Sequence, residues 1–313
     1  MHRTTLRTLT SMVVASLVVA SGCSSSDATT AAPTAAASTT TASTTTASPA
    51  TEPTSTAEQG TAAPTTAAPT TAAASTTVDI EPLTILVTND DGIGAAGIDA
   101  VVAALQSLPD VSIVVVAPAQ NQSGSSDKTT DGTLVASESA TVSGFAGTAV
   151  EGFPADSVNY ALDVLGIEPD VVVSGANATQ NIGIFVPISG TVGAARTAAR
   201  RGIPAIAVSA GGLENQDFTM SASFAAAEVE RLRDRLGFGS NTDQTVININ
   251  TPTCAPGTAV RGIVDVAVAA EFPAGTNGLD LVFDCASTAT DPTDDAQALA
   301  IGFASRSIVP ADL

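Results

Sequence analysis

Hydrophobic residues follow two regular spacings over residues 80–313. Short aliphatic runs are typical of buried strands, whereas apolar residues three and four positions apart indicate helices. The runs predict strands over residues 84–88, 111–117, 170–174, 203–209 and 245–249. The helical spacing predicts helices over residues 96–108, 154–165, 189–201 and 218–236. Because strands and helices alternate, the pattern predicts an α/β fold with a mostly parallel sheet and right-handed crossovers.

Two further stretches complete this pattern. Residues 119–132 are polar and rich in Gly and Ser, which predicts a loop, and residues 133–150 alternate weakly and predict short strands. Residues 260–309 contain several strand-like stretches and little helix. We therefore expect a strand-rich C-terminal part after the α/β region.

The first 22 residues resemble a secretory signal. The start is positively charged, residues 12–20 are apolar but too few to span a bilayer, and small residues precede Cys23. A Cys in this position resembles the bacterial lipobox, in which the Cys is lipidated and becomes the mature N-terminus. Ala20 stands where that motif more usually has Leu, and the alternative is an ordinary signal peptide with an incidental Cys. We expect an exported protein, either anchored to the membrane by lipid at Cys23 on the extracytoplasmic side, or secreted.

Residues 23–79 differ in composition from the rest of the chain. They are nearly all Ala, Ser, Thr and Pro, with few charges and almost no large apolar side chains. Such a segment buries too little surface to offset the entropy cost of ordering it, so we expect a disordered linker. Residues 80–313 remain as one folded domain, long enough for a sizeable core.

The charge balance excludes one class of partner. Acidic residues outnumber basic ones by 31 to 11, and the net charge is −20. This argues against binding to a nucleic-acid backbone, which requires Lys and Arg to neutralise phosphates. A small phosphate ligand is still compatible with the sequence, because backbone N–H groups and a metal ion can hold it.

Cys254 and Cys285 are the two cysteines beyond the signal region. In an exported protein we expect them to form a disulfide, and two buried thiols are the alternative. Neither lies in a CxxC or Cys/His arrangement, so a zinc site or a Cys nucleophile has little support.

The first predicted strand ends in two adjacent carboxylates, Asp90 and Asp91, followed by Gly92. Like charges this close repel each other, and a bound divalent cation such as Mg²⁺ or Mn²⁺ relieves that repulsion. A helix N-cap is the alternative explanation of the same residues.

Two other loops supply oxygen donors at the same predicted edge of the sheet. Ser123 follows the second strand and Asn177 follows the third, and ligands of open α/β sheets bind where parallel strands end. Two carboxylates, a hydroxyl and an amide make a plausible shell for a hard cation, whereas ordinary turn chemistry explains Ser123 and Asn177 singly. Ser189, Gly190 and Thr191 open an Ala-rich helix, whose N-terminus favours an anion, although Ser189 is also a normal N-cap.

These segments together resemble the SurE family, the metal-dependent survival-protein nucleotidases. The similarity covers about residues 82–210, with a weaker match at VININTP, residues 246–252. The motifs are ILVTNDDGI at 85–93, AAGI at 95–98, VVAP at 115–118, NQSGS at 121–125, EGFPAD at 151–156, PDVVVSG at 169–175 and SGTV at 189–192.

The resemblance implies a Rossmann-like, three-layer fold and hydrolysis of phosphomonoesters, mainly nucleoside monophosphates, with a divalent metal ion. The family's metal ligands correspond to Asp90, Asp91, Ser123 and Asn177, with the two aspartates as catalytic candidates. The candidates for phosphate and substrate binding are Asn89, Asn181, Ser189, Gly190 and Thr191.

The sequence departs from the family at several positions. Gly94 replaces a common His, Ile188 replaces a common Tyr, and Ile184 and Phe185 replace acidic residues. The extended C-terminal arm used in family oligomers looks shortened or absent, so a homodimer is only a possible assembly. The main alternative function is a non-catalytic surface lipoprotein that binds metal or nucleotide without turnover. A dinucleotide-dependent enzyme is a weak alternative, because the glycines after Asp91 lack the required spacing.

Overall fold

The computed structural model describes residues 81–212, 216–236, 241–272 and 276–312. The predicted signal over residues 1–22, the lipidated Cys23 and the linker over residues 23–79 lie outside the described residues and stay predictions. Within the described ranges, no helix combines the length and the apolar character needed to cross a membrane.

The described residues form one mixed sheet of nine strands in the order β3-β4-β2-β1-β5-β6-β7-β9-β8. The strands are β1 Leu83–Thr88, β2 Val111–Pro118, β3 Ala136–Ala140, β4 Ala146–Val150, β5 Val171–Asn177, β6 Ala205–Ala210, β7 Thr245–Thr251, β8 Ile263–Asp265 and β9 Ala304–Pro310. The central strands β2, β1, β5, β6 and β7 run parallel, while β3 pairs antiparallel with β4 and β9 pairs antiparallel with β7. The α/β prediction is therefore confirmed.

The helices lie between these strands. They are α1 Ala96–Leu105, α2 Pro154–Asn159, α3 Gly190–Arg200, α4 Phe218–Leu236 and α5 Asp295–Ala300. A π-helical turn, Tyr160–Val164, continues α2, and a 3-10 turn, Gly183–Ile188, precedes α3.

The hydrophobic core has two halves because side chains alternate across the central strands. On one face, Ile85 and Val87 of β1 pack with apolar residues of α1 and α4. On the other face, Leu86 packs with apolar residues of α2 and α3. All three β1 side chains are fully buried, as expected for a parallel strand covered by helices on both sides. The result is the three-layer arrangement that the sequence resemblance implied.

Two predicted helices end differently in the structure. The first ends at Leu105 rather than residue 108. Helical backbone is disfavoured at Leu108 because Pro109 follows it. The second changes its hydrogen-bond spacing after Asn159, where the Leu165 N–H donates to the Tyr160 carbonyl at 3.0 Å.

The C-terminal part adds β8, α5 and β9, which agrees with the predicted strand-rich tail. A disulfide joins Cys254, after β7, to Cys285, before α5, with Cα atoms 5.7 Å apart. The bridge spans a sequence separation of 31 residues. In the chain-entropy model, closing a loop of that length stabilises the folded state by about 3–4 kcal/mol. The disulfide therefore fastens this tail to the end of β7.

Candidate metal and phosphate site

The carboxyl ends of β1, β2 and β5 meet at one edge of the sheet, where each strand is followed by a loop. Two backbone hydrogen bonds join the first two loops, because the Gln122 N–H donates to the Asp90 carbonyl at 2.7 Å and the Ile93 N–H to the Pro118 carbonyl at 2.9 Å. A cavity of about 230 Å³ lies between the loops. Its lining residues are Asp90, Asp91, Ser123, Gly124, Asn177, Thr179, Gln180, Asn181, Phe185, Ile188, Ser189 and Leu279.

The turn after β1 is held by Asn89. Its side-chain amide donates to the Gly92 carbonyl at 2.8 Å, and the Gly92 N–H donates to the Asn89 Oδ1 at 3.2 Å. Gly92 has a φ of +99°, a conformation that residues with a Cβ rarely adopt. Asn89 is fully buried and is not among the residues that line the cavity, and its contact with substrate stays a prediction. Its side chain shapes the turn that presents the two aspartates.

Asp90 is almost completely buried, with 2% of its surface exposed. Its Oδ1 accepts a hydrogen bond of 2.6 Å from the Thr191 hydroxyl. Burial raises the pKa of the Asp90 carboxyl from 3.8 to about 6, and the neighbouring Asp91 adds to this effect, while the Thr191 hydrogen bond opposes it. The site thus contains a carboxylate whose charge water no longer stabilises, and a cation would stabilise it.

Asp91 connects the other two loops. Its Oδ1 accepts from the Asn121 amide at 2.8 Å, and its Oδ2 accepts from the Ala178 N–H at 3.0 Å. Burial raises the pKa of the Asp91 carboxyl, and these two hydrogen bonds partly oppose the rise. Each carboxylate oxygen can accept more than one bond, so both oxygens still have capacity for a metal ion.

The remaining predicted ligands lie at the same cavity. The Asn177 amide nitrogen donates to the Thr179 carbonyl at 2.6 Å, which leaves the amide oxygen as the free donor atom for a cation. Ser123 is exposed at the rim. Among the described residues there is no group of three or more His, Cys, Asp or Glu suited to a metal ion. A set of two carboxylates, one amide oxygen and one hydroxyl fits a hard cation such as Mg²⁺ or Mn²⁺, with other oxygens completing the shell.

The N-terminus of α3 packs directly against Asp90. Ser189 caps the helix, because its hydroxyl oxygen accepts from the Val192 N–H at 3.0 Å. A Cβ at Gly190 would lie 2.8 Å from the Asp90 Cβ and 2.9 Å from its Oδ2, so only glycine permits this approach. Thr191 is fully buried and its hydroxyl donates to Asp90, and its contact with phosphate stays a prediction.

Asn181 reaches the cavity from the loop after β5, but much of its hydrogen-bonding capacity is used within the protein. Its amide nitrogen donates to the Ser209 hydroxyl at 2.9 Å and approaches the Thr191 hydroxyl at 3.2 Å. Its backbone carbonyl accepts from the amides of Asn248 and Asn250. These bonds fix Asn181 beside the Thr191–Asp90 pair.

Several lining residues were not identified as site residues in the sequence. Thr179 and Gln180 belong to the loop after β5, and nothing in their spacing distinguishes them from turn residues. In the sequence, Phe185 and Ile188 are distinguished only by their departure from the family pattern. Leu279 comes from the C-terminal tail, and no sequence signal connects it with the first three loops.

The Asp90→Asn variant should be more stable than the parent without metal at neutral pH. The folded parent retains a proton on Asp90 that the unfolded chain releases, so its free energy of unfolding should fall as pH rises from about 4 to about 6. The amide carries no charge and still accepts from Thr191, so the variant should gain up to about 3 kcal/mol at pH 7.5 and almost nothing at pH 4. Denaturant titration in EDTA at both pH values measures this difference. Asp131→Asn, at an exposed loop position, is the matched control, and equal stabilities of Asp90→Asn and parent at pH 7.5 would contradict the burial argument.

Thr191→Val should weaken metal binding without removing a metal ligand. Valine keeps the shape of threonine but cannot donate to Asp90, and loss of a partner that orients a metal ligand typically reduces metal affinity about 10- to 100-fold. Isothermal titration calorimetry with Mn²⁺ measures the change in metal affinity. Thr197→Val on the same helix is the control, since the Thr197 hydroxyl donates to the Gly193 carbonyl at 2.9 Å, within its own helix. Equal Mn²⁺ affinity in the two variants would show that the Thr191–Asp90 bond has no part in the site.

Comparison with known proteins places this architecture in a family. The family model described as survival protein SurE matches residues 85–271. A protein of Methanopyrus kandleri named 5′-nucleotidase SurE is 39% identical over 181 residues, a match that covers 54% of this chain and 66% of that protein. A protein of Symbiobacterium thermophilum with the same name is 32% identical over 243 residues, covering 73% of this chain and 93% of that protein.

A solved structure gives the same result for the fold. The crystal structure of SurE protein from Aquifex aeolicus superposes with a TM-score of 0.58 and 29% sequence identity, covering 74% of this chain and 94% of that one. The matched region contains the three loops and the start of α3 that surround the cavity. From the extent of these matches, we conclude that this chain belongs to the survival protein SurE family.

Proposed function

We propose that this protein is a metal-dependent phosphomonoesterase that hydrolyses nucleoside monophosphates to a nucleoside and phosphate. Its relatives carry the name 5′-nucleotidase SurE, which describes a phosphomonoester hydrolase. The observation that carries the proposal is the buried Asp90 carboxylate beside the N-terminus of α3, with the half-buried Asp91 carboxylate next to it in the same cavity. Placing two like charges side by side, one of them buried, is costly, and a site for a cation and an anion together explains why both are present.

The metal ion would be held by Asp90, Asp91, Ser123 and Asn177. When bound, a divalent cation supplies Lewis acidity toward a phosphate oxygen and makes water more acidic. The protein's own contribution is geometric: Asn121 and the Ala178 N–H orient Asp91, while Thr191 orients Asp90. These hydrogen bonds orient both carboxylates, and both residues line the cavity.

The start of α3 would bind the phosphate. The N–H groups of Gly190 and Thr191 lie in the first turn, where a helix offers no carbonyl acceptor of its own. These groups and the positive end of the helix dipole favour an anion, and they would stabilise charge on the phosphate oxygens as the ester bond breaks. Ser189 lines the cavity at the same end of the helix.

Proton transfer would depend on the same carboxylates. Asp90 and Asp91 are the ionisable residues among those that line the cavity, so one of them is the candidate acceptor for the proton of an attacking water. The lone histidine, His2, belongs to the predicted signal and is not part of this proposal.

The proposed setting is outside the cytoplasm. The signal-like start and the Cys after small residues support export and lipid attachment at Cys23, with residues 23–79 as a flexible tether and a homodimer as a possible assembly. On this proposal Cys23→Ala should move the protein from the membrane fraction to the medium. Fractionation followed by immunoblotting measures the shift, and a variant that stays with the membrane would exclude the lipid anchor.

Removal of either carboxylate should abolish most of the phosphatase activity. Asp91→Asn keeps the side-chain size but removes one of two anionic ligands, so phosphate release from adenosine 5′-monophosphate with Mn²⁺ should fall at least about 100-fold. Asp131→Asn should match the parent, and EDTA should remove activity from both. Nucleotide and Mn²⁺ binding by the parent without phosphate release would instead support the non-catalytic alternative.

A further inference from the structure

The mouth of the cavity carries three large apolar side chains that the chemistry at Asp90 does not use. They are Phe185 and Ile188 from the 3-10 turn before α3, and Leu279 from the C-terminal tail. Ile188 is 54% exposed and Leu279 is 40% exposed, and both line the cavity that contains Asp90 and Asp91. We call these three residues the apolar wall. Exposed apolar groups around a ligand cavity indicate contact with an apolar part of the ligand.

The apolar wall is supported from behind. The Phe185 ring packs against Phe272 with centroids 5.6 Å apart and planes tilted by 35°. Gly278 lies against both rings, where a Cβ would clash with them. The Gln180 amide binds the Gly278 carbonyl, and its oxygen accepts from the Gly212 N–H at 3.0 Å. Phe185 is therefore held in place before any ligand arrives.

The turn that carries Phe185 and Ile188 is also fixed at its start. The Gly183 N–H donates to Asp295 at 3.2 Å, and the other oxygen of the same carboxylate accepts from the Ala269 N–H at 2.8 Å. Asp295 is completely buried at the start of α5. The C-terminal tail thus supplies both Leu279 and the group that anchors the rest of the apolar wall.

The polar side chains next to the apolar wall are occupied by other parts of the protein. Both ends of the Gln180 amide bond to backbone groups, and the Thr179 hydroxyl donates to the Ala178 carbonyl at 2.8 Å. The hydrogen-bond donors of these two side chains are therefore used within the protein, and the Thr179 hydroxyl oxygen keeps only acceptor capacity.

We propose that the apolar wall binds a flat, apolar ring on the leaving group of the phosphomonoester. This inference rests on the proposed function, because the phosphate must lie at Asp90 and α3 for the leaving group to reach the apolar wall. The cavity is smaller than the about 300 Å³ at which pockets begin to enclose a whole drug-sized ligand, so a leaving group would extend across the rim. Stacking on an aromatic side chain accepts any base or ring, since each presents a π face. The site would then recognise the ring rather than the identity of a base.

Two pairs of substrates test this proposal with Mn²⁺ and phosphate release as the readout. Adenosine 5′-monophosphate and ribose 5-phosphate have the same leaving oxygen but differ in the ring, as do 2-phenylethyl phosphate and ethyl phosphate. In both pairs the ring should raise kcat/KM at least about tenfold. A ring effect in the nucleotide pair alone would overturn the proposal in favour of base-specific hydrogen bonds, and ratios near one in both pairs would overturn it outright.

Variants of the apolar wall should lower the ratio of kcat/KM between the ring-bearing substrate and its partner in each pair. Phe185→Ala and Ile188→Ser should each reduce the ring effect about three- to tenfold. Ile184→Ser is the matched control, because Ile184 lies in the same turn and is 57% exposed but does not line the cavity. Ile188→Ser changes an exposed side chain, so it keeps the test valid if Phe185→Ala unfolds in a thermal melt. Ratios unchanged in Ile188→Ser and in folded Phe185→Ala would overturn the proposal.

The same assay separates this inference from the proposed function. No phosphate release from any of the four substrates would overturn both together. Ribose 5-phosphate and ethyl phosphate could instead release phosphate at the same rate as their ring-bearing partners. That result would support the phosphomonoesterase proposal and overturn only the proposal that the apolar wall binds a ring.

Discussion

The structure around the cavity depends on how the chain stabilises a carboxylate that it has removed from water. Asp90 is buried at the end of β1, beneath the first turn of α3, and burial raises its pKa to about 6. The compensation comes from the Thr191 hydroxyl and from the close approach that Gly190 allows. Moving α3 away would remove both the hydrogen bond and the helix N-terminus that favours an anion. The position of α3 therefore sets the geometry of the whole site.

The loops around this carboxylate are connected to one another by the aspartate that follows it. Asp91 accepts hydrogen bonds from Asn121 after β2 and from the Ala178 N–H after β5, so one side chain ties three strand ends together. Such bonds reduce the entropy that a ligand would otherwise have to remove on binding. They also explain why two adjacent acidic residues are tolerated at the edge of a sheet. The charges that destabilise the site are the same ones that organise its loops, and on the proposed function they are also the ones that bind the cation.

The binding surface has two parts with different origins in the chain. The groups suited to metal and phosphate lie between Asp90 and Thr191, within the region that matches the family model. The apolar surface at the mouth depends on the C-terminal tail, which supplies Leu279, supports Phe185 through Phe272 and anchors Gly183 through Asp295. The disulfide between Cys254 and Cys285 holds that tail near β7. The groups proposed to bind metal and phosphate and the surface proposed to bind the leaving group thus come from different parts of the chain.

The sequence by itself determined the α/β class and the order of the central elements, and it predicted Asp90, Asp91, Ser123 and Asn177 as one set of oxygen donors, all of which line one cavity in the structure. Hydrophobic spacing reports which face of a strand or helix is buried, and parallel strands bring their carboxyl ends to one edge. Only the tertiary structure decided that Asn89 and Thr191 bond to the protein, and that Leu279 reaches the cavity. The hydrogen bonds of a polar side chain depend on which donors and acceptors distant segments bring near it. Spacing along the chain carries no information about those partners.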